Sequence, residues 1–406
     1  MVIQEKYQLF KRNGVVCRFG IWGLTLEYFL EGQSIPEPRF PAHFKIEIPP
    51  PKKRVMQAVI TAKCNLSCKY CSFFANAPAG ITEHMSNEEL SALCERFNRE
   101  LGAEGLLLIT GGEPETYPDA VNYLVQNVKG KIILFTNGTL TTEARLSFYQ
   151  KHQVGVLFSL DGDLFSHDTA RLAKGGSHSR VARSLRLAKQ MGFDFGISAV
   201  VGDHNIEKLP TLVEYFITEF QPASLGLNLP HKFDGDAWMR IEEYTTALME
   251  IFPLAKREGL FIDQINRRLT PLINRQFRFR DCAAQGEKIV VFPGGVETSC
   301  VNEAGLKALA PNWAEQLPIH HPICQNCYAI GICGGGCIFD GSAIYGSGCF
   351  DLRNCYFSKQ LLEFFIWEFY EELGEGAADQ ELLKERYQSL LQRREGTHFS
   401  IGHEPE

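Results

Sequence analysis

The sequence has no apolar run of membrane-spanning length, no excess of basic residues, no solenoid-type internal repeat and no low-complexity tract. Each absence removes a class of protein. Without a long hydrophobic run no membrane partner is expected, and a formal net charge of -7 over 406 residues offers no footprint for phosphate backbones, so no nucleic-acid partner is expected either. The first fourteen residues carry Glu5, Lys6, Lys11 and Arg12 and lack the apolar core of a secretory signal, which points to a cytoplasmic protein. In that reducing compartment thirteen cysteines are not a disulfide framework, and their clustering points to ligation of metals or clusters.

At 45% hydrophobic residues a core is easily built, and the length exceeds one core, so a large domain plus a smaller one is expected. Strand candidates begin at Val55, Leu106, Lys131, Gly155, Phe195 and Ser224. Between them lie amphipathic segments at Asn87 to Leu101, Thr141 to His152, Arg180 to Met191 and Lys208 to Phe220, and a further helix is expected from Ile241 to Gly259. This alternation predicts an α/β fold, a partial TIM-like barrel of about six βα units. Residues 1–51 read as an extension of short strands around Asn13-Gly14, serving as a cap or a leader-peptide contact, and 52–259 as the barrel. A small Cys-rich domain with a β-hairpin and helices is expected over 260–357, and a helical tail over 358–406, frayed near Gln392-Arg393-Arg394-Glu395.

Cys64-Asn-Leu-Ser-Cys68-Lys-Tyr-Cys71 follows the first strand and crowds three thiols onto one loop. Three thiolates hold three irons of a four-iron cubane and leave the fourth open to a ligand, whereas structural zinc needs four ligands, and the next cysteine, Cys94, falls inside a predicted helix. With Tyr70 before the last cysteine, the spacing resembles the radical S-adenosylmethionine (SAM) superfamily. That resemblance implies a [4Fe–4S] cluster on Cys64, Cys68 and Cys71 whose open iron chelates SAM. It also gives roles to the later strand ends. Gly111-Gly112-Glu113-Pro114 resembles the segment for the SAM amino group, with Glu113 facing an ammonium. Thr136-Asn137 occupies the next edge. Ser159 and Arg171 are implied as contacts of the SAM carboxylate, and Asp161 as a residue orienting nucleotide or substrate. Val200-Val201-Gly202 is a weaker candidate for adenine, with packing at least as good a reading.

The second field holds Cys282, Cys300, Cys324, Cys327, Cys333, Cys337, Cys349 and Cys355, the ligand count of two four-cysteine sites. Paired zinc ribbons would show repeated CxxC spacing, which only Cys324/Cys327 supplies. The pattern resembles the SPASM extension of peptide-maturing radical SAM enzymes. It implies one or two auxiliary iron–sulfur clusters of the [4Fe–4S] type, an outer one on Cys324, Cys327, Cys333 and Cys355 and an inner one on Cys282, Cys300 and Cys337. Either Cys349 completes the inner set or one of its irons stays open. Cys17 and Cys94 stand outside both fields and read as small buried hydrophobes.

The two resemblances imply an oxidoreductase that cleaves SAM reductively to a 5′-deoxyadenosyl radical and abstracts hydrogen from a ribosomally made precursor peptide carrying a leader. A thioether or carbon–carbon crosslink would follow, with a donor such as flavodoxin or ferredoxin supplying the electron. Epimerisation is the alternative outcome. A sulfatase-maturing enzyme is less compatible, because such enzymes carry Asp directly after the second auxiliary cysteine and Val301 stands there. An iron–sulfur electron carrier would need closed clusters and none of the SAM-binding strand ends.

Overall fold

Fifty-four residues precede the first barrel strand, which begins at Val55. In the computed structural model, which describes residues 2–231, 240–306 and 312–391, they open with an antiparallel sheet. Asn13 and Gly14 both adopt positive φ, 50° and 77°, the two-residue turn that matches the twist of paired strands. It joins β1 (Tyr7–Arg12) to β2 (Val15–Gly20), and β3 (Thr25–Leu30) continues the sheet.

The barrel strands are β4 (Val55–Val59), β5 (Leu106–Thr110), β6 (Lys131–Thr136), β7 (Gly155–Ser159), β8 (Gly196–Val200) and β9 (Ser224–Asn228). They lie side by side in chain order and all run parallel. Met56, Ala58, Leu107, Ile109, Leu134, Val156, Phe158, Ile197, Ala199, Leu225 and Leu227 are fully buried. On the opposite face Val55, Val59, Leu108, Ile133 and Leu157 are buried as well, and burial on both faces is why these strands read as near-continuous apolar runs rather than as alternation. Crossover helices cover the outside, and each is stopped or started by local chemistry. Ser86 and Glu89 form a reciprocal capping box at Asn87–Glu100, Pro118–Asn127 follows, and Thr142 accepts from the Arg145 amide, so the helix after β6 starts at Glu143 rather than at Thr141.

The sheet extends beyond these six strands. β10 (Phe261–Ile262) adds in parallel to β9. On the other edge β11 (Lys288–Val291) runs parallel to β4, and β12 (Glu297–Thr298) folds back on it. The hairpin expected in the Cys-rich segment thus forms one edge of the nine-stranded sheet. Val59, Phe73, Val290 and Phe292 pack together, with Cys71 and Val301 against them, so the first thiol loop and the start of the second field share one apolar cluster.

The helices after Phe350 close the molecule. Phe252 packs on Phe364 and Phe365, seating Leu352–Leu373 along Ile241–Glu258. β13 (Gly376–Ala377) pairs with β3, and the Tyr28 hydroxyl donates to Ile366 O at 2.7 Å, so the opening sheet and the closing helix hold each other. Residues 392–395 lie outside the described residues. Among the described residues no helix is long and apolar enough to cross a membrane.

Candidate active site

The C-terminal ends of the barrel strands surround one pocket, the position where βα folds build sites. Its wall includes Cys64, Cys68, Tyr70, Cys71, Gly111, Gly112, Glu113, Thr136, Asn137, Ser159, Arg171, Val200, Asn228 and His231. Every thiol of the first cluster is there. Of the other sequence-identified residues, Pro114 and Asp161 are not on the wall.

The glycines after β5 act first on the protein itself. A Cβ at Gly111 would sit 2.5 Å from Thr61 O and one at Gly112 2.3 Å from Lys63 O, so only glycine lets this loop lie against the chain leading to Cys64. Gly112 N donates to Thr61 O and Glu113 N to Lys63 O, both at 2.8 Å. Asn65, inside the thiol loop, donates to Thr139 Oγ1 and accepts from Asn137 Nδ2, each at 2.8 Å. The loop is therefore stitched to the second and third strand ends.

Glu113 is fully buried and accepts from Thr136 Oγ1 at 2.7 Å, Asn137 N at 2.6 Å and Glu115 N at 3.0 Å. Burial, helped by the Glu115 carboxylate beside it, pushes its pKa up to about 7, against the pull of those donors. Such a carboxylate lacks a cation.

Arg171 reaches the wall from the other side. Its backbone pairs with Cys68, Lys69 N donates to Ala170 O at 2.9 Å, and its guanidinium lies 5.4 Å over the Tyr70 ring. Asp161 lies beneath it, accepting from Arg171 Nε at 3.0 Å and Nη2 at 3.1 Å, from Val200 N at 3.0 Å and from the Tyr70 hydroxyl. His204 Nε2 stands 3.5 Å from the same carboxylate, too far for a well-formed hydrogen bond. Burial would raise the Asp161 pKa, but the Arg171 guanidinium overrides it and holds the carboxyl well below its ordinary range. Asp161 thus fixes the Arg171–Tyr70 wall from behind.

The second field forms two groups. Burial and then neighbouring thiols, Cys327 among them, raise Cys324 to about 11 and Cys355 to about 12, while burial raises Cys333 against the pull of Arg268, with Cys327 again a neighbour. Gly335 N and Asn354 Nδ2 donate to Cys333 Sγ at 3.4 and 3.0 Å. In the other group Cys300, pushed up to about 11 by burial, feels Cys282, and Cys337 feels Asp340 and Cys300. Cys349 is exposed, and its thiol donates to Tyr345 O at 3.4 Å. Cys17 and Cys94 are buried.

A family model described as "Radical SAM superfamily" matches residues 58–216, the span from the first barrel strand through the helix after the fifth. Residues 58–216 thus carry a radical SAM domain. It is 22% identical over 335 residues to radical SAM cyclopropyl synthase TigE of Paramaledivibacter caminithermalis, covering 72% of this chain and 70% of that one. Among solved structures it is similar to native anSMEcpe with bound AdoMet, with a TM-score of 0.63 and 19% identity over 78% of this chain and 97% of that one. It is also similar to Streptococcus suis SuiB bound to its precursor peptide SuiA, with a TM-score of 0.55 and 16% identity over 74% and 75% of the two chains.

The pocket of this radical SAM enzyme fits the superfamily's cofactors, SAM and a [4Fe–4S] cluster. Burial pushes Cys68 up to about 11 although Arg171 pulls it down, and Cys64 is raised as well, so each would have to release its proton on taking a metal. A buried carboxylate such as Glu113 suits an ammonium, and a guanidinium such as that of Arg171 suits a carboxylate. Beside the second field, buried Arg268 and Arg278 and partly buried Arg267 gather on Asp263 and Asp281, placing positive charge where anionic iron–sulfur centres would sit. Arg268 donates to Asp281 Oδ1 at 2.9 Å, next to Cys282, and to Asn354, the neighbour of Cys355.

Asn65, His204, His231, Asp340 and Arg268 were not legible as site residues in the sequence. Asn65 lies within the thiol motif and His231 just past the end of β9, so strand-end position was the available signal for these two. The other three become neighbours of the site only when distant segments fold together.

Proposed function

We propose that the protein is a radical SAM peptide maturase that installs a thioether or carbon–carbon crosslink in a ribosomally made precursor peptide. The observation that carries this reading is the convergence of Cys64, Cys68, Cys71, Glu113, Ser159 and Arg171 on one pocket at the barrel's strand ends. Cys64, Cys68 and Cys71 hold the [4Fe–4S] cluster, Glu113 takes the SAM ammonium, and Ser159 with Arg171 takes its carboxylate. A cluster held there would, with SAM bound and an electron from a flavodoxin- or ferredoxin-type donor in the cytoplasm, supply the 5′-deoxyadenosyl radical chemistry that takes hydrogen from the peptide. The wall of Tyr70 and Arg171, fixed from behind by Asp161, keeps the nucleotide in one orientation. Cys324, Cys327, Cys333 and Cys355 hold an outer auxiliary cluster and Cys282, Cys300 and Cys337 an inner one, a charge reservoir for the electron released when a new bond closes.

The peptide substrate is supported by the likeness to SuiB, seen with its precursor peptide. Valine after Cys300, packed in the apolar cluster with Phe292, disfavours the sulfatase-maturing alternative. The test is anaerobic incubation of the reconstituted protein with reductant, SAM and the precursor peptide encoded nearest its gene. Accumulation of 5′-deoxyadenosine with a peptide lighter by two hydrogens supports the proposal, and unchanged SAM contradicts it.

The raised Glu113 pKa gives a pH prediction. Below about pH 7 the carboxyl is protonated in the folded protein and must lose that proton to pair with the SAM ammonium. The dissociation constant for SAM is therefore expected to rise about tenfold per pH unit below 7 and to level off above it. In Glu113→Gln the slope disappears and affinity is weak throughout. Equilibrium dialysis between pH 5.5 and 8.5 measures both.

A further inference from the structure

We propose that His231 supplies the fourth protein ligand of the inner auxiliary cluster, a nitrogen from the barrel where a fourth cysteine would otherwise be needed. The inference rests on the reading that Cys282, Cys300 and Cys337 hold that cluster. A ring nitrogen of His231, the sulfur of Cys337 and a carboxylate oxygen of Asp340 all lie within 4.8 Å of one another. These residues come from separate parts of the chain, the end of a barrel strand and the Cys-rich segment, and nothing in their local sequence requires them to meet.

The histidine is oriented as metal-binding histidines are. Nδ1 faces the Asp340 carboxylate at 3.1 and 3.2 Å, the carboxylate–imidazole arrangement that fixes the ring and strengthens its other nitrogen as a donor. Asp340 is buried and receives Arg353 Nη2 at 2.7 Å. The same guanidinium donates to Pro230 O at 3.2 Å, so one buried cation fixes both the carboxylate and the backbone just before His231. Phe339 stands edge-on to the imidazole at 5.6 Å and 88°. Cys349, the thiol otherwise available, is exposed and donates outward to Tyr345 O, whereas Cys337 carries wholly buried neighbours in Ile338 and Asp340.

His231 also lines the pocket that holds Cys64, Cys68 and Cys71. A ligand there ties the inner cluster to the reaction pocket through one side chain. A neutral imidazole in place of a thiolate also leaves the cluster less negative, hence easier to reduce.

The test uses the full chain bearing Cys64→Ala, Cys68→Ala and Cys71→Ala, grown with 15N-histidine, so that auxiliary clusters alone give the signal. After anaerobic reduction, pulsed electron paramagnetic resonance is expected to show a strongly coupled 15N nucleus. That coupling should vanish in His231→Ala and survive in Cys349→Ser. Should the alanine variant fail to fold, His231→Cys decides: it should keep the iron content and move the inner cluster to a lower potential. Clusters without nitrogen coupling, coupling that survives His231→Ala, loss of iron in Cys349→Ser, or an unmoved potential in His231→Cys would each overturn the inference alone. Absence of any auxiliary signal would overturn the underlying reading and this inference with it.

Discussion

Cys68→Ala is expected to abolish SAM cleavage while sparing the fold. Cys68 is the thiol most closely bound into the pocket wall, since its backbone pairs with Arg171 and the Arg171 charge acts on its sulfur. Removing it leaves two thiols for a cluster that needs three. Iron content should fall from about twelve atoms per chain to about eight if the auxiliary clusters persist. 5′-Deoxyadenosine formation should drop to background, a loss of at least about 10^6-fold given what the catalytic group contributes to such reactions. Circular dichroism should stay unchanged, because the side chain is only partly buried and makes no core contact. An iron assay beside a product assay reads the outcome, and retained product formation would contradict the assignment.

Asp161→Asn is expected to cost stability and SAM affinity together. The substitution keeps an oxygen for Val200 N but removes the charge that faces Arg171, leaving a buried guanidinium without its counter-ion. Breaking a buried pair from one side costs roughly 3–5 kcal/mol. Loss of support behind Arg171 and Tyr70 should weaken SAM binding by about 10- to 100-fold, as for other groups that orient a ligating side chain. The pH signature separates this residue from Glu113. Because Arg171 depresses the native pKa of Asp161, its contribution is present above the ordinary carboxylate range and is lost only as pH falls through the native value. The deficit of the variant should therefore be constant from pH 6 to 9, roughly the window in which Asp161 stays ionised. Urea denaturation and SAM titration at several pH values measure both effects.

Much of the barrel was legible because its strands are buried on both faces and punctuated by glycine-rich ends. The strand starts at Val55, Leu106, Lys131, Gly155 and Ser224 are those observed, and Gly196 lies one residue from the expected Phe195. The thiol loop was legible because its chemistry is compressed into eight residues. What sequence could not reveal depends on long-range packing. Lys288–Val291 reads as a short apolar run, and only the open edge of Val55–Val59 makes it a barrel strand. Asp161 was expected to orient nucleotide or substrate, and the chain places it behind the wall with Arg171 curled over it, an arrangement no spacing rule encodes. Gly111 and Gly112, expected as part of the segment for the SAM amino group, first admit the backbone of Thr61 and Lys63. His231 and Asp340 stand 109 positions apart and meet only because the Cys-rich segment folds back over the strand ends.

The central claim is that three thiols leave one iron open to SAM. Electron–nuclear double resonance on the anaerobically reduced protein, with SAM labelled by 15N at its amino group, tests it most directly. A 15N coupling to the reduced cluster that is absent from Cys68→Ala is the predicted result. A cluster whose spectrum ignores the labelled nucleotide would contradict it.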